Sequence, residues 1–219
     1  MEYIKKDLGS YNLHVIRTDK FKTVMVRVVF QRPVVKDEIT MRNVLSQMLL
    51  QSTYKYKTKR DMNIKAEDLY AADIYSTNNR LGKYATSNFY LSMLNDKYTE
   101  KGNLEKGIEY LSEIIFNPDV HSNKFSKDKL DVVMSSCRSS LNSLKEEASK
   151  YSVMRMYEEL DGKSPASYRM CGYLEDLDNI NEENLYTYYE SMIKSDLVDI
   201  FVIGDVSYNE MTEVFKKYF

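Results

Sequence analysis

The sequence predicts an α+β domain in which an antiparallel-rich mixed sheet is covered by helices. Apolar residues alternate at period two in segments that come in pairs, and between those pairs they recur at spacings of three and four. The 219 residues include only seven Gly and three Pro, with no Ser- or Gly-rich stretch. No linker is visible, so a single domain over 1–219 is expected.

Leu13 and Val15, then Val24, Val26, Val28 and Phe30, mark two strands, which the stretch Asp19 to Lys22 is expected to join as a hairpin. After Pro33, Met41, Val44, Leu45, Met48 and Leu49 follow one face of a helix from about Glu38 to Gln51, and a second helix is expected from Lys59 to Ala71. Alternation returns from Ile74. Phe89, Leu91 and Met93 lie on the strand that follows the turn-like Asn78-Asn79-Arg80-Leu81-Gly82. Asn103 is placed to cap a helix burying Leu104, Ile108, Leu111 and Ile115, stopped by Pro118. One long helix is expected from Ser126 to Leu160, on the spacing of Leu130, Val133, Cys137, Leu141, Leu144, Ala148 and Tyr151. Asn181 is placed to cap the next helix, Val198, Ile200 and Val202 alternate in a strand ending at Gly204, and Ser207 with Glu210 reads as a capping box for the last helix. The expected order is β-β-α-α-β-β-α-α-α-β-α.

Charge narrows the function classes. The 31 basic and 33 acidic residues are interspersed and give a net charge of −2, which argues against nucleic acid as a partner. The longest basic cluster, Lys55 to Arg60 interleaved with Tyr54 and Tyr56, is too short to carry such binding alone. No apolar run approaches the ~20 residues of a membrane span and no secretory signal is visible, so a cytoplasmic protein without membrane contact is expected. Cys137 and Cys171 lack metal-ligand or redox spacing and read as free thiols.

No stand-alone catalytic motif is present. The two histidines, His14 and His121, are far apart; His14 reads as a partly exposed strand side chain, and His121 as a loop residue. The carboxylate pairs Glu67-Asp68, Glu146-Glu147, Glu158-Glu159 and Glu182-Glu183 fall on predicted helices, where solvated faces are expected.

Several strings, in order, resemble the N-terminal domain of the insulinase/pitrilysin zinc peptidases, the family that includes the mitochondrial processing peptidase. Asn43-Val44-Leu45-Ser46-Gln47 stands where that family carries His-x-x-Glu-His, Ser52-Thr53 where it carries Gly-Thr, and Leu69-Tyr70-Ala71-Ala72 where it carries a Leu-Tyr-Gly-like turn. Ile115-Phe116-Asn117-Pro118 and the closing Val202-Ile203-Gly204-Asp205-Val206 also match the family pattern, so the resemblance covers nearly the whole chain.

The resemblance implies a zinc site whose ligands are absent here. Asn43 and Gln47 replace the two histidines, Ser46 replaces the general-base glutamate, and the third ligand is expected near Val133 to Arg138, where no acid occurs. Amides are poor zinc ligands and a hydroxyl cannot serve as base for a metal-bound water. Cys137, the soft ligand in that stretch, has no visible partner and reads as a buried structural thiol.

No cofactor and no catalytic residue is therefore expected; zinc belongs to the family pattern, not to this chain. What remains is a catalytically inactive homologue acting as a structural or substrate-binding subunit, beside an active family paralogue or as a homodimer. Ile74, Tyr75, Ser76 and Thr77 are the candidate edge for an added peptide strand. The family normally continues into a second, similar domain, so the chain is expected to be one half of a longer protein. The alternatives are an active zinc metalloendopeptidase with an unrecognised site and a stand-alone interaction module.

Overall fold

A computed structural model describes residues 2–162 and 164–219. Six strands form the main sheet: β1 (Glu2–Asp7), β2 (Asn12–Arg17), β3 (Thr23–Pro33), β4 (Asp73–Leu81), β5 (Tyr84–Leu94) and β8 (Leu197–Gly204). The short strands β6 (Val120–His121) and β7 (Lys124–Phe125) pair separately. The helices are α1 (Ile39–Leu49), α2 (Lys59–Asp68), α3 (Asn103–Phe116), α4 (Lys127–Ser143), α5 (Ala148–Leu160), α6 (Leu174–Leu177), α7 (Glu182–Ser195) and α8 (Tyr208–Tyr218). The α+β class with a helix-covered mixed sheet holds.

The sheet runs β1-β2-β8-β3-β5-β4, and all its pairings are antiparallel except β2 with β8. The expected hairpin between β2 and β3 does not form. Strand β8, about 180 residues on, inserts between them, parallel to β2 and antiparallel to β3. Its alternating Ile200 and Val202 continue the buried row of Leu13, Val15, Val26 and Val28, all at most 2% exposed. Burying that face on both neighbours outweighs the local turn. The second hairpin does form, but Asn78 to Leu81 pair within β4 and the turn contracts to Gly82 and Lys83, with Gly82 at φ 60°.

The period-two alternation sorts the two faces. Val24, Val26, Val28, Phe30, Phe89, Leu91 and Met93 point into one core with Leu45, Met48, Ile108, Leu111, Leu185 and Phe215 of the helices. Among the described residues the helices gather on this side. The other face carries Tyr3, Met25 and Tyr75, all exposed.

Helix ends bear out one expectation and overturn two. Asn181 caps α7 as expected, accepting from the Glu183 and Asn184 amides at 3.0 Å each, and Asn184 completes the box. Asn103 instead lies inside α3: Gly102, at φ 85°, takes the cap position, and the Asp96 carboxylate accepts from the Gly102 and Leu104 amides at 2.7 Å. Ser207 makes no side-chain cap bond; the first turn of α8 borders a cavity of about 560 Å³ lined by Ser207 and Glu210.

The expected long helix breaks. Glu147 leaves helical geometry at φ −91°, ψ 75°, and α5 packs on the turn Pro165–Ser167, tied there by Glu158, which pairs with Arg155 and Arg169. Every residue from Leu144 to Glu147 favours helix, so tertiary contacts override propensity here.

Candidate functional site

Helix α1 has apolar residues on its core side and places Asn43 and Gln47 one turn apart on a shared face, with Ser46 beside them. Strand β4 flanks that face on one side and α4 on the other. The three motif positions thus converge, and they do so with residues from both neighbours.

Asn43 donates its amide to the carbonyls of Ile39 at 2.9 Å and Met170 at 2.7 Å, and its Oδ1 accepts from Asn78 Nδ2 at 3.3 Å. Ser46 Oγ lies 3.0 Å from the Arg42 carbonyl and 3.1 Å from Asn78 Oδ1, so its single proton serves one of the two. Ser87 Oγ donates to the same Asn78 oxygen at 2.6 Å. Gln47 Nε2 donates to Cys137 Sγ at 3.2 Å. Cys137 therefore has a partner, contrary to expectation, and the partner is the residue at the second ligand position. The stretch expected to supply a third ligand does reach the motif helix.

These groups do not fit a zinc ion. The amide nitrogens of Asn43 and Gln47 are directed at oxygen and sulfur acceptors, and burial raises the Cys137 thiol above its ordinary range despite the opposing Gln47 hydrogen bond. The thiol is protonated at neutral pH and poorly suited to metal. Among the described residues no group of three or more His, Cys, Asp and Glu side chains comes together. The cluster can accept and donate hydrogen bonds, but no member can act as general base for water near pH 7.

The helix is anchored from behind. Arg42 is 1% exposed and pairs with Asp196, whose side chain is fully buried and which also takes Arg32. Arg32 further reaches Glu38 at 3.2 Å and Ser191 at 3.2 Å. This network ties α1 to β3 and to the α7–β8 junction.

The candidate edge residues lie where the topology makes them an edge, since β4 closes the sheet. Ile74 and Ser76 face α1, with Ser76 Oγ donating to the Ser46 carbonyl at 3.3 Å. Tyr75 and Thr77 face the opposite side, where Tyr75 stacks on Tyr90 at 4.6 Å. The edge thus runs directly beside the motif helix.

The two histidines lie away from this cluster. His14 is 7% exposed, not partly exposed as expected, because it is held in the sheet by Tyr3 and Asp199. His121 sits in the β6–β7 hairpin, 3.2 Å from Asp119.

Reading Asn78 as part of a turn hides both it and Ser87 from the sequence. Extending the alternation from Ile74 places Ser76 and Asn78 inward, and polar residues at inward positions are the available signal. Arg42 and Asp196 leave no such signal, being 154 residues apart.

No protein-family model matches the chain. The chain is 28% identical over 218 residues, 99% of its length, to the probable inactive metalloprotease YmfF of Bacillus subtilis (strain 168), and spans 51% of that protein. It superposes on a conserved protein from Enterococcus faecalis V583 with a TM-score of 0.94 and 26% identity, covering 99% of this chain and 52% of that one. It also superposes on a peptidase M16 inactive domain from Pseudomonas fluorescens with a TM-score of 0.76 and 13% identity, covering 100% and 50%. The chain has the fold of the M16 peptidase domains, and its resemblance to the insulinase-type peptidases is borne out. It spans about half the length of the curated relative it matches.

Proposed function

We propose that the chain is a non-catalytic homologue of the M16 peptidases that captures extended peptides along β4, as one half of a longer protein working beside an active paralogue or as a homodimer. One observation carries this: a sheet edge runs along a motif helix whose ligand positions hold hydrogen-bonded amides and whose general-base position holds a hydroxyl. The helix keeps the family's geometry and has lost its chemistry.

The two sheet edges differ in a way that favours β4. Strand β1 is blunted by Glu2, Lys5, Lys6 and Asp7, the charges with which edges are protected from pairing. Strand β4 has no charge between Ile74 and Asn79. An extended peptide can add there through main-chain hydrogen bonds, with alternate side chains reaching toward α1 or toward the open face. The name of the Bacillus relative, a probable inactive metalloprotease, supports the loss of catalysis, and its double length supports a second half.

The test has two arms. After dialysis against zinc, the chain is expected to hold no stoichiometric metal and to cleave no peptide; one zinc per chain with metal-dependent cleavage overturns the inactive assignment. Extended peptides are expected to bind in fluorescence anisotropy, and the same peptides N-methylated at alternate residues to lose binding. Equal affinity of the two series overturns the β4 role.

A further inference from the structure

We propose that the helix-free sheet face holds a second reactive site, in which Tyr3, His14 and Asp199 form a proton relay that makes the Tyr3 hydroxyl a nucleophile toward activated acyl donors. The three residues stand on three adjacent strands, β1, β2 and β8. None takes part in the cluster around α1.

The distances describe a continuous chain. Tyr3 Oη lies 2.8 Å from His14 Nδ1, and His14 Nε2 lies 3.0 Å from Asp199 Oδ1. Asp199 is itself fixed: Oδ1 accepts from Asn12 Nδ2 at 3.0 Å and Oδ2 from Gln31 Nε2 at 2.9 Å. The imidazole is clamped between rings, 4.4 Å from Phe201 and 6.0 Å from Tyr3, with interplanar angles of 14° and 15°.

This arrangement selects one tautomer. The carboxylate accepts only, so a neutral His14 carries its proton on Nε2 and turns the Nδ1 lone pair to the phenol. Nucleophile, base and orienting acid are then in the order that activates hydroxyl nucleophiles elsewhere, with a phenol as the attacking group. Tyr3 is 56% exposed, so an electrophile can approach, while His14 at 7% is shielded from competing water. The charged groups beside the relay on this face are Lys5 and Asp7 of β1, in register with His14 and Asn12, and Arg27 of β3, which stacks on Phe201 at 6.0 Å; Asp73 shares the face from the far edge strand β4.

The step balances. Tyr3 Oη attacks the acyl carbon as its proton passes to His14 Nδ1, and the imidazolium is stabilised by Asp199. The bond to the leaving group breaks, and the leaving group departs with the proton taken from His14. The products are a tyrosyl ester and the protonated leaving group.

The experiment uses the full chain and N-acetylimidazole, with acetylation read per tyrosine by peptide mass mapping. Tyr54, more exposed at 69%, is the internal reference. Tyr3 is expected to react at least ~100-fold faster, the lower end of what a positioned base supplies. His14→Phe, which retains a ring between Phe201 and Tyr3, is expected to bring Tyr3 down to the Tyr54 rate. A wild-type Tyr3 rate equal to or below that of Tyr54 overturns the proposal without reference to any variant.

Discussion

Replacing Asp196 by Asn tests whether the motif helix is held by the buried charge network. The Asp196 side chain is fully buried and faces two guanidiniums, Arg42 with a side chain 2% exposed and Arg32 with one 15% exposed. Arg32 can fall back on Glu38, Ser191 and Ser195. Arg42 cannot, and its Nε already lacks a partner. The substitution therefore strands one buried cation, which costs about 3–5 kcal/mol. For a domain of this size each kcal/mol shifts Tm by roughly 2–4 °C, so the expected drop is on the order of 10 °C. The assay is urea denaturation at neutral pH, comparing midpoints at unchanged slope. Adding Arg42→Met to Asp196→Asn removes the stranded charge and is expected to recover at least half of the loss. A loss below about 1 kcal/mol, or a double variant no more stable than the single one, would refute the argument, since either means that Arg42 is not an uncompensated charge once Asp196 is gone.

Three further outcomes follow from the site and its surroundings. Asn43→His with Gln47→His should create a zinc site that uses Cys137 as third ligand, given the 3.2 Å contact between Gln47 and Cys137. Cobalt loading should show a thiolate charge-transfer band that strengthens as pH rises, because burial raises the thiol and binding must remove its proton; a band that persists in Cys137→Ser would disprove it. Ala71, at φ 55° in the turn after α2, carries the left-handed penalty that Gly avoids. Ala71→Gly is expected to stabilise the fold by about 0.5–1 kcal/mol, measured by the same denaturation, and a destabilised variant would contradict this.

Asp119 should make the fold acid-sensitive. Burial raises its carboxyl, but hydrogen bonds from Lys129 and Lys57 outweigh burial and hold it below its ordinary value. A depressed folded pKa stabilises above the unfolded value of about 3.9 and is lost as pH falls toward the folded one. Urea midpoints between about pH 5 and pH 3 should therefore fall less steeply in Asp119→Asn than in the wild type. Parallel slopes would show that the pairing does not contribute.

The residues that shape single elements are legible along the chain. The spacing from Met41 to Leu49 marks α1, Asn181 marks the start of α7, and the replacements at Asn43, Ser46 and Gln47 stand out in the linear order of residues, because a helix fixes which of them share a face. Only the tertiary structure decided that β8 parts β2 from β3, that β4 is an outer edge beside α1, that Gln47 meets Cys137, and that Arg42 is neutralised by Asp196. The physical reason is one of range. Periodicity records how one element divides its residues between core and solvent, whereas strand order and buried pairs depend on which distant segments share an interior, and that is settled by packing the whole chain.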